Sequence, residues 1–244
     1  MEKIKKYSNK SILGIFAHPD DETSGAGCTI SKYAELGADV SVITATRGEL
    51  GTLGTGNLTI SREELPSVRE DEFKRVMSIY GANPPIFLDY KDQEVNLHRT
   101  EDIADKILLF MKDLMPDVII TFGPQGISKH SDHIAIHKAA LHAFSLYKEL
   151  ELKNPSLLYV AIPKEVAAEF ELKLSGPETE PNIFVPANDH IDLKIKALRT
   201  YKSQEDAQEF AAWLESIDEY YESFKLIHPK LHQPITFDDL LSKT

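Results

Sequence analysis

The chain has 244 residues, 42% hydrophobic and 27% charged, with 13 Pro and 12 Gly, which excludes disordered and fibrous classes. Its 39 acidic against 27 basic residues give a formal charge of −12, which argues against nucleic acid or an anionic membrane as a partner. The single cysteine, Cys28, excludes an internal disulfide and a thiolate zinc cluster, and no stretch approaches the roughly 18 apolar residues of a membrane span.

Residues 12–17, Ile-Leu-Gly-Ile-Phe-Ala, are a continuous apolar run of the kind found in a strand buried on both faces of a parallel sheet. The run is too short, and ends too abruptly in His18 and Asp20, to be a signal peptide. A single domain over residues 1–244 and a cytoplasmic location are the corresponding expectations. Residues 22–36 change to helical spacing, with Ile30, Tyr33, Ala34 and Leu36 on one face and Gly37 as the stop. Residues 39–46 are rich in β-branched side chains and predict a second strand.

A Gly-rich loop follows, Arg47-Gly48-Glu49-Leu50-Gly51, without the Lys-Ser or Lys-Thr ending of a P-loop. Residues 63–80 predict a helix with Pro66 in its first turn and Gly81 past its end, and residues 86–88 predict a third short strand. Residues 103–114 are helical in spacing, residues 118–122 predict a fourth strand, and residues 134–150 a further helix. Beyond these, residues 157–162 and 183–185 read as strands flanking an irregular segment at 164–172, and residues 174–182 as a Pro-containing loop. That loop is a candidate for substrate specificity, with a plain surface loop as the alternative. Residues 189–200 and 207–224 read as helices. The aromatic residues of the second, Phe210, Trp213 and Tyr221 among them, belong to the core or to a homo-oligomer surface.

Strand and helix alternate four times, which predicts an α/β fold with a parallel sheet and helices on both faces. The C-terminal ends of such strands lie along one edge, where ligands of open α/β sheets bind. The charged clusters of this chain follow those very strands: His18 to Glu22, Arg47 and Glu49, Asp92, and His130 to His133.

His18-x-x-Asp21 and His130-x-x-His133 together offer imidazoles and a carboxylate. Two imidazoles, one carboxylate and an open position suit catalytic zinc, and the same set suits non-haem Fe(II). Either motif alone is more often a solvated loop or a satisfied histidine, so it is their occurrence at two strand ends that points to a metal. A bound zinc ion lowers the pKa of its water toward about 7, helped by a carboxylate that takes the proton. Asp20 and Asp21 are adjacent, and their order alone does not say which serves the metal and which the water.

The motifs Ala17-His18-Pro19-Asp20-Asp21-Glu22, Thr46-Arg47-Gly48-Glu49, Gly123-Pro124 with Gly126, and His130-Ser131-Asp132-His133 resemble those of the LmbE-like, or PIG-L, family of zinc-dependent N-deacetylases. Arg69 and Glu72 resemble the family's Arg-x-x-Glu helix, a structural or site-supporting feature. The resemblance runs in order over roughly residues 12–140 and implies a three-layer α/β/α Rossmann-like fold with a mostly parallel sheet. It implies removal of the acetyl group from a small N-acetylated amino sugar or its conjugate. His18, Asp21 and His133 would then hold Zn2+, with Fe2+ the alternative. Asp20 would be the general base, His130 the oxyanion donor, and Asp132 the carboxylate that orients an imidazole.

Arg47 and Glu49 are the candidate substrate-binding residues, Arg47 for a carboxylate or phosphate, with a mutual ion pair as the alternative. Glu22 is expected to cap the first helix or support the ligands. Tyr201 stands where many family members carry histidine, which leaves any substrate contact from that helix open; His190 is nearby but out of register. His137 is assigned to packing or surface, and His142, His228 and His232 have no constellation around them. Two other readings compete: an amidase for a bulkier acyl or thiol conjugate, and a nucleotide-binding α/β module. The module is disfavoured because His-Pro-Asp-Asp stands where a Gly-x-Gly-x-x-Gly turn would be needed.

Overall fold

The computed structural model describes residues 6–187, 189–231 and 233–243. His232 and the first five residues of the charged N-terminal segment lie outside the described residues. The first apolar run forms β1 (Ser11–Phe16), buried along its whole length. Strands β2 (Asp39–Thr44), β3 (Ile86–Phe87), β4 (Val118–Thr121) and β5 (Ser156–Val160) join it in parallel. β6 (Ile183–Pro186) and β7 (Tyr221–His228) complete a seven-stranded sheet of order β3-β2-β1-β4-β5-β7-β6, in which β7 alone runs against the rest and pairs antiparallel with both β5 and β6.

The connections are helical: α1 (Asp21–Glu35), α2 (Leu65–Tyr80), α3 (Thr100–Leu114), α4 (Gly126–Lys129), α5 (Ser131–Glu149), α6 (Lys164–Glu169), α7 (Ile191–Thr200), α8 (Glu205–Leu214) and α9 (Phe237–Lys243). α3 packs on α5, and α1 packs on α2 and α7, so the sheet is covered by helices on both sides. Ile12, Leu13, Ile15, Val42, Ile119 and Leu157 form the centre of one continuous apolar cluster. Each such fully buried side chain contributes about 1.5–3 kcal/mol relative to exposure. Among the described residues no helix is long and apolar enough to cross a membrane.

β1 pairs with β2 on one side and β4 on the other. The chain direction across the sheet therefore reverses between β1 and β4, which is where a crevice opens at the strand ends. His18 follows one of these strands and His130 with His133 follows the other.

The last third departs from the expectation. Residues 207–224 are not one helix: α8 stops at Leu214, and Tyr221–His228 becomes β7, inserted between β5 and β6. Glu222, Phe224 and Leu226 are buried at alternating positions. A glutamate in that series hides the two-residue period of the strand, while Phe210, Trp213, Ile217 and Tyr221 mimic a helical one. Residues 174–182 are also more ordered than a plain loop, containing a 3-10 turn at Gly176–Thr179.

α1 is kinked at Ala26, where φ is −151°. The carboxylate of Glu222 accepts the backbone N–H groups of Cys28 (2.8 Å) and Thr29 (2.7 Å), capping the helix afresh after the break. Lys194 pairs with that carboxylate at 2.8 Å and also donates to the Ser24 carbonyl at 2.9 Å, so the helix turn before the kink is held as well.

Candidate metal centre

The turn after β1 is built around a left-handed residue, Asp20, with φ 100°. Aspartate visits this region more readily than most residues because its short side chain bonds locally. Its N–H donates to Glu22 Oε2 at 3.0 Å, and its carbonyl takes the Ser24 N–H at 2.9 Å. The consequence is that the two adjacent aspartates find different partners. Asp20 Oδ2 accepts from Arg69 Nη2 at 2.8 Å. Asp21 Oδ2 accepts the His18 N–H at 2.7 Å and lies 3.5 Å from His18 Nδ1, while Asp21 Oδ1 lies 3.4 Å from His133 Nε2.

Hydrogen bonds determine which nitrogen of each histidine is free. His133 Nδ1 is 2.9 Å from the Gly126 carbonyl. A carbonyl can only accept, so Nδ1 carries the proton and Nε2 keeps its lone pair. His18 Nε2 lies between two carboxylate oxygens, Asp92 Oδ1 at 3.2 Å and Asp132 Oδ2 at 3.4 Å; against the effect of burial, these and Asp21 hold the His18 pKa well above the ordinary histidine value, and Nδ1 is the nitrogen placed to serve a metal ion. His18 Nδ1 and His133 Nε2 face one another at 3.1 Å.

His18 Nδ1, His133 Nε2 and the Asp21 carboxylate thus form a triangle: the nitrogens are 3.1 Å apart, Asp21 Oδ1 lies 3.4 Å from the His133 nitrogen, and Asp21 Oδ2 lies 3.5 Å from the His18 nitrogen. Ligand atoms about 2.1 Å from a tetrahedral zinc ion are separated by roughly 3.4 Å. Two imidazoles and a carboxylate are a donor set that suits a zinc ion, so the residues fit a metal by chemistry as well as by spacing. His18, His130 and His133 also bring one nitrogen each within 4.8 Å of one another. His130, however, accepts the Asp132 N–H on Nδ1 at 3.2 Å, which puts its proton on Nε2 and makes it a donor toward the site.

The electrostatics follow the same division. Burial works against a charge on Asp21, but His133 and His18 outweigh it and hold the carboxyl well below the usual range. Burial pushes the Asp20 carboxyl well up, against the opposing pull of Arg69. Burial likewise pushes Glu22 up to about 7, although it accepts hydrogen bonds from Thr23, Tyr201 and the Asp20 N–H.

A cavity of about 220 Å3 opens over these groups, lined by His18, Asp20, Asp21, His130 and His133, with Leu50, Gln93, Ser128, Gln204 and Asp206 among its other walls. Asp132 is fully buried beneath it and accepts the Gln93 N–H at 2.7 Å through the oxygen that faces His18. The other candidate residues are placed elsewhere. Arg47 donates to Glu70 and Asp89, both at 2.6 Å, lies over the Phe87 ring, and is absent from the cavity wall. Glu49 accepts the Asp92 N–H at 3.0 Å and so holds a loop beside the site without lining it; the Arg47–Glu49 pair does not form. Tyr201 is buried and donates to Glu22 at 2.7 Å, so it supports the turn from behind and does not reach the cavity. His137 packs against Tyr159 and bonds the Phe122 carbonyl at 2.9 Å.

Asp92 is the residue to which sequence reasoning gave no role. Its Oδ1 faces His18, and its Oδ2 accepts the Leu50 N–H at 2.9 Å. Its place at the end of β3's loop, on the same sheet edge as the other clusters, was the available signal. Arg69 is buried and donates to the carbonyls of Gly48 and Pro19 as well as to Asp20, tying two strand-end loops to one guanidinium.

A family model described as "PIG-L: GlcNAc-PI de-N-acetylase" matches residues 13–144, which carry both ligand motifs. The chain belongs to the PIG-L family. Among its PIG-L relatives is the probable N-acetyl-alpha-D-glucosaminyl L-malate deacetylase 2 of Bacillus cereus, 31% identical over 199 residues, which cover 81% of this chain and 85% of that protein. A 1D-myo-inositol 2-acetamido-2-deoxy-alpha-D-glucopyranoside deacetylase of Kineococcus radiotolerans is 31% identical over 163 residues, covering 56% of this chain and 45% of the relative. Of solved structures, the N,N'-diacetylchitobiose deacetylase of Pyrococcus horikoshii aligns with TM-score 0.70 at 22% identity, covering 98% of this chain and 92% of its own. GalB, a 4-carboxy-2-hydroxymuconate hydratase of Pseudomonas putida, aligns with TM-score 0.72 at 18% identity, covering 93% of this chain and 99% of its own. That a hydratase shares the PIG-L fold shows that the architecture alone does not choose the reaction.

Proposed function

We propose that this PIG-L chain is a zinc-dependent N-deacetylase that hydrolyses the acetamide of an N-acetylated amino sugar or sugar conjugate to acetate and a free amine. The observation that carries the reading is the triangle of His18, Asp21 and His133, with Asp20 and His130 lining the same cavity. The names of the deacetylase relatives support the substrate class. A zinc ion held by the triangle would lower the pKa of water toward about 7 and polarise a carbonyl oxygen.

The rest of the chemistry belongs to side chains. Asp20 takes a proton from the attacking water and returns it to the departing nitrogen. Arg69 pulls the Asp20 pKa down against the larger effect of burial, which raises it. His130 presents Nε2–H to the oxyanion of the tetrahedral intermediate, because its Nδ1 is occupied by the Asp132 amide. Asp92 and Asp132 hold the Nε2 proton of His18, which fixes that ring and leaves Nδ1 for the ion. One amide C–N bond breaks; one water proton reaches the leaving amine through Asp20, and the water oxygen with the second proton goes to acetic acid, which ionises to acetate on release into solvent.

The same reading takes residues 1–244 as one LmbE-like deacetylase domain, supported by the continuous sheet and core, and places it in the cytoplasm, supported by the free buried thiol of Cys28. Elemental analysis should return about one zinc per chain. Acetate release is then measured on N-acetylglucosamine, its malate conjugate and diacetylchitobiose side by side. If zinc-loaded protein turns over no acetamide at all, the reading is wrong.

A further inference from the structure

Glu178 sits in the 3-10 turn at Gly176–Thr179, far from the ligand motifs in sequence, and is completely buried. Its carboxylate is spent on the loop between β4 and α5. Oε2 accepts the Gln125 N–H at 2.7 Å, and Oε1 accepts the Ile127 N–H at 3.0 Å. Its own backbone carbonyl takes the Ile162 N–H at 2.7 Å, just past β5, so the turn is anchored to the sheet. A side chain so braced is a fixed point for the loop it holds.

The Ile127 N–H and the Gly126 carbonyl belong to one peptide group. Glu178 binds the first, and His133 Nδ1–H donates to the second at 2.9 Å. The loop is pressed between them. A Cβ on Gly123 would collide with the Glu178 side chain, and one on Gly126, where φ is +63°, would lie 2.6 Å from His133 Cβ. Ile127 itself is held at φ 60°, ψ −60°, a tight-turn conformation that a β-branched residue adopts only under constraint. An anionic acceptor on the N–H of a peptide enriches its carbonyl oxygen, which strengthens the next hydrogen bond in the chain.

We infer that Glu178 is a positioning residue for the metal centre, acting on His133 through the Gly126–Ile127 peptide so that the ring is fixed with Nε2 as its ligand atom. The inference rests on the proposed role of His133 as a metal ligand. It gives the segment 174–182 a task different from the specificity loop or plain surface loop that composition suggested. In a familiar carboxylate–histidine–metal relay the carboxylate touches the imidazole; here a peptide group stands between them.

The test is Co(II) binding, followed by chelator competition and by the visible absorption of the bound ion, in wild type, E178Q, E178Q/I127G and H133A. E178Q replaces one acceptor with an amide donor. It should weaken Co(II) binding by about 10- to 100-fold, the usual range for a lost outer-sphere partner, and alter the absorption. Glycine at position 127 tolerates the strained turn without help, so E178Q/I127G should recover most of the loss. Wild-type affinity and absorption in folded E178Q overturn the inference. Should E178Q fail to fold, hydrogen exchange on the wild-type protein decides. Coupling is reciprocal, so Co(II) must slow exchange at the Gln125 and Ile127 amides, and unchanged exchange there overturns the inference. H133A separates the two readings: undiminished Co(II) affinity in H133A removes the ligand assignment and the relay with it, whereas loss in H133A with none in E178Q removes the relay alone.

Discussion

Arg69 Nη2 lies 2.8 Å from Asp20 Oδ2, while the neighbouring Asp21 has no bond to that guanidinium and turns to His18 and His133. One arginine thereby separates two consecutive carboxylates into different electrostatic settings. Asp20→Asn should keep about one equivalent of metal and lose turnover by roughly 10²- to 10⁴-fold, the range of a lost general base. His18→Ala should lose metal and activity together. Metal loss in Asp20→Asn would show that the two aspartates have been assigned the wrong way round. Because Arg69 lowers the Asp20 pKa, Arg69→Met should move the acidic limb of the kcat/KM profile to higher pH, a shift absent if Asp20 is not the base.

Arg47 is committed to Glu70 and Asp89, away from the cavity wall. Arg47→Ala should therefore leave KM within about 2-fold of wild type, since exposed ion pairs contribute ~0–1 kcal/mol and no substrate contact is removed. Steady-state kinetics on the best acetamide substrate would check this; a tenfold rise in KM would put Arg47 in contact with substrate after all.

The buried Lys194–Glu222 pair fixes the kinked helix that begins with Asp21. Removing one partner of a buried pair costs about 3–5 kcal/mol, because the other is left charged in an apolar setting. Lys194→Met should lower the unfolding free energy in urea by that order, and Lys194→Met/Glu222→Gln should be less damaging than the sum of its parts. Strict additivity would show that the two residues act independently.

The buried neutral histidines should each cost stability in mild acid. Burial holds His137 and His190 below the ordinary histidine value of 6.5. The unfolded chain therefore binds protons that the fold refuses, so their stabilising contribution is complete above pH 6.5 and is lost as pH falls from there through their folded values. Glu22, pushed up to about 7 from 4.5, acts in the opposite sense between those values, so the informative measurement is a difference between proteins. The Tm of His137→Gln relative to metal-free wild type should improve as pH is lowered from 7 to about 5. A pH-independent difference would contradict the buried-neutral assignment.

The parallel half of the sheet was legible because its strands are buried on both faces and so appear as plain apolar runs, residues 12–17 being the clearest. The site was legible for a geometric reason: parallel strands deliver their following loops to one edge, so His18 and His133, 115 residues apart, had to be neighbours. What escaped was whatever depends on a charge buried inside the fold. Glu222 disguised β7, and Glu178 looked like one acid in a loop. The kink at Ala26 exists because Glu222 and Lys194 arrive from β7 and α7 to sustain it. A sequence pattern records which residues avoid water, and a buried carboxylate whose partners lie far along the chain leaves no such trace.

The position of β7 between β5 and β6 also bears on how the chain is made. Every proposed metal ligand has been synthesised by His133, yet the strand that caps the broken helix is made only after β6, α7 and α8. Until Tyr221–His228 slots into its gap, β6 has no partner to pair with, Lys194 has no carboxylate to meet, and the turn bearing Asp20 and Asp21 lacks its support. The two halves of the centre are both made before β7, and their final alignment waits for it.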